Sequence, residues 1–303
     1  VKMANITTTT ASAFIPEIWA NRALEILRAN IVLAKLVTKD TDVATFQVGD
    51  VLHIPYPGTF TANDKAANNA VTLQTPTGGA DISVTLNKHK EVSFLIEDPA
   101  RAQANQDLMD RYINAAVPAI AQAIESDLFA LYSGLSTTVG TSGTDISAAT
   151  IRSARKALND NKVPLAPRHL VISPKDEIAL LADSNLATYF ANSRPEAVAQ
   201  GALGNLYGFT IWMSQLVPVV SGTPNSTKNL AFHPEFAILA MRALPEPPAG
   251  AGARSAAVRD PESGLVIRVT SAYNPTYLGV QVTLDVLYGV AELRDAAGVV
   301  VLS

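Results

Sequence analysis

The chain is 303 residues long, 48% hydrophobic but only 17% charged, with a net charge of −4 and no cysteine. A mean hydropathy of +0.17 without any run of about 18 apolar residues argues against membrane-spanning helices, and for apolar surface hidden against partners. The pI near 5.6 argues against a surface that grips nucleic acid through its phosphates, and the lack of cysteine removes disulfides, thiolate metal sites and thiol nucleophiles together.

Residues 1–13 are small and polar, without the apolar stretch of a secretory signal. Residues 14–30 read as a helix with Pro16 near its first turn, where a missing N–H costs little. Ile15, Trp19, Ala23, Ile26 and Leu27 can share one face of it. Residues 43–98 change character. A strand-like stretch runs to Pro57, a polar Asn/Thr/Gly-rich excursion follows, and alternation returns at Ile82, Val84, Leu86 and again at Val92, Phe94, Ile96. This predicts two long antiparallel strands joined by an excursion too poor in large apolar residues for a core of its own. A long hairpin is marginal by itself, so a neighbouring subunit is the expected support.

Residues 100–133 give the strongest helical periodicity, through Leu108, Tyr112, Ala116, Ile120, Ile124, Leu128 and Leu131. Such a rod would be roughly 45–50 Å long. Pro118 lies inside it, at a cost of about 3 kcal/mol to an unkinked helix, and predicts a bend or two collinear helices. From 145 to 232 helix and strand alternate. Ser147 is placed to cap a helix ending near Asn161, with Ile151, Ala154 and Leu158 buried. Arg168 to Ile172 reads as a strand, and Ser173 caps the next helix with Pro174 first and Asp176 third. Residues 242–264 read as a Pro/Gly/Ala loop. Two clean alternating strands follow, around 265–272 and 278–288, turned by Asn274-Pro275, and the chain ends in a turn at 295–298 and a strand at 299–302.

The search for chemistry is negative. Four histidines (His53, His89, His169, His233) show no metal-ligand spacing, and His233 before Pro234 and Glu235 reads as a satisfied loop residue. Gly201, Gly204 and Gly208 have neither the spacing nor the strand-to-helix context of a phosphate loop. Glu125 and Asp127, two apart on a helix, do not face each other as a carboxylate pair would. No catalytic, metal or cofactor-binding residues are assigned, and no cofactor is expected.

The order of the parts resembles a known family, the tailed-bacteriophage major capsid proteins of the Hong Kong 97 fold, with the coat proteins of short-tailed phages nearest. Phe14-Ile-Pro-Glu-Ile-Trp19 with Leu24 to Leu36 resembles the family's N-terminal arm, and Gly49 to Pro55, the polar excursion and Val92 to Asp98 resemble its extended loop. The helix through Gln106-Asp107, Ala115-Ala116 and Ile124 to Asp127 resembles its spine helix. Leu170 to Pro174, Gly201 to Phe209 and Ala231 to His233 resemble the axial domain and its return, and Leu287 to Val290 with Leu293 to Asp295 resembles the closing strands.

The resemblance implies an α+β chain with an N-terminal arm over 1–42, an extended β-hairpin loop over 43–98 and a peripheral domain with a long spine helix over 99–144. An axial α/β domain over 145–232 and a return to the peripheral domain over 233–303, with the loop at 242–264, complete it. It also implies a non-enzymatic subunit, a homo-oligomer of pentamers and hexamers that encloses double-stranded DNA in a virion without reading its sequence. Assembly is expected in the host cytoplasm with a portal protein, with room for decoration proteins and without a membrane. The arm starts almost at once, which implies a separate scaffolding protein, and 242–264 is too short for the inserted β-barrel of some relatives. Phe14, Trp19, Phe60, Asp64, Lys65, Leu73, Arg152 and Arg155 are the expected intersubunit contacts. The alternatives are an encapsulin-like nanocompartment shell and, from another class, an enzyme with an unrecognised site.

Overall fold

The β-rich second half of the chain fixes the architecture, because long alternating strands can bury one face only by stacking into sheets. The computed structural model describes residues 20–21, 23, 25–27, 31–40, 51–55, 60–75, 81–98, 108–183, 204–248, 252–259 and 265–303. In chain order these form a single helical turn α1 (Leu33–Leu36), β1 (Thr38–Asp40), β2 (Val51–Pro55), β3 (Asp81–Thr85) and β4 (Lys88–Glu97). The long helix α2 (Leu108–Phe129), β5 (Thr138–Gly140), α3 (Ala148–Asp160), β6 (His169–Ile172) and α4 (Pro174–Ala182) follow. Then come β7 (Asn205–Leu206), β8 (Phe209–Met213), β9 (Val219–Val220), β10 (Ser226–Phe232) and β11 (Ala237–Arg242). The chain closes with β12 (Ala253–Arg259), β13 (Val266–Asn274), β14 (Gly279–Glu292) and β15 (Gly298–Leu302). The described positions between 20 and 27 are helical, with Ala20, Ala23 and Leu27 buried.

Two sheets result. The first is built on β14, whose 14 residues exceed any single neighbour. β13 pairs antiparallel along 279–285 and β11 along 287–292, so both share one edge, while β4 takes the other along 279–288. β12 and β1 lie outside β13 and β11. Val282, Leu284 and Val286 of β14 face the core with Val269, Ile267 and Ile96, as the alternation predicts. The second sheet runs β5-β15-β10-β6-β8-β7, with β9 on β10, and buries Leu230, Phe232, Val299 and Val301. Among the described residues no helix is long and apolar enough to cross a membrane.

Helices α3 and α4 form as the local sequence dictates. Ser147 accepts the Thr150 N–H at the start of α3, and Ile151, Ala154 and Leu158 are buried. Ser173 accepts the Asp176 N–H at the start of α4, with Pro174 in the first turn.

Several expectations change. Of the bend or the two collinear helices expected at Pro118, the second does not form: α2 runs through it as one helix. Ile113, Val117, Ile120 and Ile124 bury both halves of it in one core, which outweighs the roughly 3 kcal/mol cost of the proline. The second strand of the expected hairpin is divided: β3 pairs with β2, whereas β4 belongs to the first sheet. The break falls at Leu86-Asn87, where Leu86 turns into a small apolar cluster with Leu52, Val84, Ile238 and Ala240. The 242–264 loop contains β12, because Ala256 and Val258 alternate with small residues opposite Val269 and Ile267 and fit the sheet's free edge. β15, grouped by the sequence with the 233–303 return, pairs with β10 in the second sheet, and β5 joins that sheet by pairing with β15.

Gly289 allows the end of β3 to close on β14. A Cβ there would lie 2.3 Å from the Thr85 carbonyl oxygen, a backbone atom that cannot swing aside. Gly289→Ala is expected to cost about 1–3 kcal/mol through this overlap, read as a lower midpoint in urea unfolding. An unchanged midpoint would contradict the close approach.

Candidate functional site

Apolar side chains left unburied, and the polar groups that hold the segments bearing them, mark where a chain meets other molecules. The excursion at 60–75 is the most exposed apolar segment described: Phe60, Val71 and Leu73 are 67%, 69% and 91% exposed. Polar bonds link its two sides. The Thr61 N–H donates to Gln74 Oε1 (3.0 Å), and Gln74 Nε2 donates to the Thr61 carbonyl (2.6 Å), closing the loop's neck. Asp64 and Lys65 are exposed beyond it, with Lys65 Nζ donating to the Ala66 carbonyl. Large apolar side chains with no core beneath them mark an interaction surface.

The other expected contacts are placed differently. Phe14 and Trp19 lie outside the described residues. Arg152 and Arg155 project from α3 toward their own chain. Arg152 lies 5.6 Å above the Tyr207 ring, and Arg155 Nη1 donates to the Tyr207 carbonyl (2.9 Å). The turn they hold needs Gly208 at φ +82°, where a Cβ would lie 3.2 Å from Arg155 Nη1. Both guanidinium groups therefore have an intrachain role, while their exposed faces remain open to solvent. Further exposed apolar residues missed in the sequence lie at the β13–β14 turn (Tyr277, Leu278) and at one end of the second sheet (Trp212, Met213, Val219, Val220). Their signal was weak because each sits beside polar residues in short elements.

The buried polar groups among the described residues tie distant segments of the chain together. Asp285, 2% exposed, takes a two-pronged bond from Arg268, whose Nε lies 2.9 Å from Oδ1 and Nη2 2.5 Å from Oδ2, and a third from His89 Nε2 at 2.9 Å. Arg168 spends its guanidinium on the carbonyls of Pro164 and Val163 and on Asn159. Tyr288 donates to Asp127 Oδ2 (2.6 Å), and burial with that bond holds the phenol above its usual range. Among the described residues no group of three or more His, Asp or Glu could hold a metal ion.

His233 caps the turn Pro234–Phe236 by accepting the Glu235 N–H at Nδ1 (3.4 Å), and His169 accepts from Trp212 Nε1 (3.4 Å). Burial depresses both imidazoles below the usual histidine value, with repulsion from His233 adding at His169 and from Arg168 and Arg294 at His233; Glu235 opposes the shift. The unfolded chain then binds more protons below its own histidine value of about 6.5, so this stability is present above that pH and is lost as pH falls through the depressed folded values. His233→Asn keeps a capping oxygen but does not titrate. Urea midpoints at pH 7.5 and 5.5 should fall less in this variant than in the wild type; an equal fall would refute the assignment.

Residues 79–302, more than half of the chain, match the phage capsid protein family. No curated protein matches. Among solved structures, the chain resembles one from Mycobacterium phage Che8 at 22% identity, TM-score 0.63, covering 89% of this chain and 90% of that one. It also resembles the capsid of cyanophage P-SCSP1u at 15% identity, TM-score 0.63, covering 89% and 87%. The SrpI encapsulin of Synechococcus elongatus is a more distant likeness, at 11% identity, TM-score 0.52, covering 89% and 85%. These likenesses carry the fold, an α+β architecture of the Hong Kong 97 type, and the family match carries the role. A helix-braced sheet and a coreless apolar excursion agree with both: the chain belongs to the phage capsid protein family and is a structural major capsid protein of the virion.

Proposed function

We propose that this subunit builds pentamers and hexamers of an icosahedral head by laying the excursion at 60–75 on a neighbouring copy. The observation that carries this is the exposure of Phe60, Val71 and Leu73 on a segment with no core of its own. In this reading α2 and the first sheet are the peripheral domain, and the second sheet with α3 and α4 is the axial domain. Phe14 and Trp19 belong to an N-terminal arm that adds contact area, and Asp64, Lys65, Arg152 and Arg155 tune it by charge.

A separate scaffolding protein guides closure in the host cytoplasm, a portal occupies one vertex, and decoration proteins can add to the outside. The shell encloses double-stranded DNA without reading it, in keeping with the chain's net charge of −4. The encapsulin reading shares the fold, and the phage capsid family match favours the viral shell over it. Electron microscopy of the expressed chain, with and without a co-expressed scaffolding protein from the same phage, tests the proposal. Closed shells or capsomer-sized rings are expected. A monomer in both preparations would sink it.

A further inference from the structure

Glu125 of α2 is 1% exposed and uses both carboxylate oxygens on backbone. Oε1 accepts the N–H groups of Val32 (3.0 Å) and Ala34 (2.9 Å), and Oε2 accepts that of Leu33 (2.9 Å). These N–H groups open α1, for which Val32 supplies no side-chain cap. The cap comes instead from a carboxylate 93 residues downstream. Ile31, Leu33, Ala34 and Val37 are buried around it. The same segment then joins the first sheet as β1, parallel to β11, with Thr38 Oγ1 donating to the Pro234 carbonyl (2.9 Å). Residues 31–40 are thus a strap, seated at one end on α2 and at the other on the sheet edge.

Asp127, two residues further along α2, serves a different segment, since positions i and i+2 of a helix point apart. Its Oδ1 meets Lys88 Nζ at 2.8 Å and its Oδ2 accepts from Tyr288 OH at 2.6 Å. Lys88 and Tyr288 lie opposite each other in the β4–β14 register. Lys88 is also the first residue of β4, separated from β3 only by Leu86 and Asn87, and so marks the root of the excursion-bearing hairpin.

We propose that the turn of α2 at residues 125–127 is a positioning element for assembly, in which Glu125 sets the direction of the N-terminal strap and Asp127 that of the hairpin. Apolar contacts alone let a strap slide along a helix, because they are non-directional. A carboxylate that takes three consecutive N–H groups accepts one register only. With both prongs on one helical turn, the two extensions hold a fixed angle to each other, as each copy needs in order to present the same two surfaces to its neighbours.

The inference rests on the reading that both extensions are assembly surfaces. Its test uses the full chain as wild type, Glu125→Gln, Asp127→Asn, Lys88→Met and the Lys88→Met/Asp127→Asn double variant. Hydrogen exchange, circular dichroism and electron microscopy of the assembled product are read together. In the wild type the amides of residues 32–34 should exchange far more slowly than those of 60–75. In Glu125→Gln they should speed up by about tenfold or more while amides of the second sheet do not. Both Glu125→Gln and Asp127→Asn should stay folded and give particles of scattered size, and the double variant should be no worse than its worse parent, since both changes remove one contact.

Wild-type amides at 32–34 as fast as those at 60–75 would overturn the proposal, as would uniform wild-type-sized shells from Glu125→Gln or from Asp127→Asn. Should Glu125→Gln fail to fold, the wild-type exchange and the Asp127→Asn particles still decide. A wild type that forms no shells at all would instead count against the shell reading itself.

Discussion

A chain in which residues 58–80 are replaced by Asn-Gly should melt within a few degrees of the full-length subunit and yield fewer shells by roughly tenfold or more. The first half of this expectation follows from what the excursion does not bury. Its described part, 60–75, is exposed at every position and held by the Thr61–Gln74 pair, so removal of that part forfeits no buried side chain. Pro55 already pairs with Asp81, and Tyr56 and Pro57 with Asn-Gly make a short hairpin loop of favourable turn chemistry. Shortening a flexible loop changes its closure cost by only about 0.6 kcal/mol per halving, which for a chain of this size is roughly 2 °C or less.

The second half follows from what the excursion exposes. If Phe60, Val71 and Leu73 are covered on a neighbour, each buried side chain contributes on the order of 1.5–3 kcal/mol, and about 1.4 kcal/mol per subunit already makes a tenfold difference in an association constant. Calorimetry and electron microscopy of the two proteins check both halves. Unfolding of the shortened chain would assign the excursion to the subunit's own core. Normal shells would remove it from the interface.

Asp176→Ala, in α4 beside the second sheet, should be among the most destabilising single substitutions in this part of the subunit, by about 3–5 kcal/mol. Asp176 is 0% exposed. Its Oδ2 accepts from Ser173 Oγ (2.7 Å), Asn229 Nδ2 (2.7 Å) and Ser303 Oγ (2.8 Å), and Oδ1 accepts the Ile146 N–H (3.4 Å). Asn229 Oδ1 in turn accepts the Ser173 N–H (2.8 Å). The carboxylate therefore joins the start of α4, the middle of β10 and the residue after β15. Alanine takes the acceptor from the buried Ser173 and Ser303 hydroxyls and leaves Asn229 Nδ2 only its longer bond to Ser303 Oγ (3.4 Å). The check is the urea midpoint of the isolated subunit, with α3 surface variant Lys156→Ala as a control; its pair with Asp160 is exposed and contributes under about 1 kcal/mol. A loss below about 1 kcal/mol for Asp176→Ala would show that the network is not the joint described.

The same residue marks where sequence reasoning stops. Ser173 followed by Pro174 and Asp176 announces a helix start, and the helix begins there. Nothing in that stretch announces Asn229 or Ser303, because their meeting with Asp176 depends on how β6, β10 and β15 lie beside one another. Glu125 and Asp127 are a second case. Their spacing excludes a carboxylate pair, and they do diverge, but their partners Val32 to Ala34, Lys88 and Tyr288 come from three distant segments. Asp285 is a third: alternation assigns it to the face away from the hydrophobic side of β14, yet Arg268 and His89 enclose it there.

By itself the sequence determined the elements whose causes are local. The caps at Ser147 and Ser173, the buried stripe of α3, the alternation of β13 and β14 and the coreless character of the excursion follow from side-chain chemistry within a few residues. Their order was enough to mark the resemblance to a capsid subunit. Tertiary structure alone decided that β4 leaves the hairpin for the first sheet, that β12 forms within a Pro/Gly/Ala stretch, that β15 closes the second sheet, and that α2 survives Pro118. In each of these the local preference is weak or contrary, and it is overridden by pairing and burial against residues far away in the chain, whose energies appear only once the sheets have assembled.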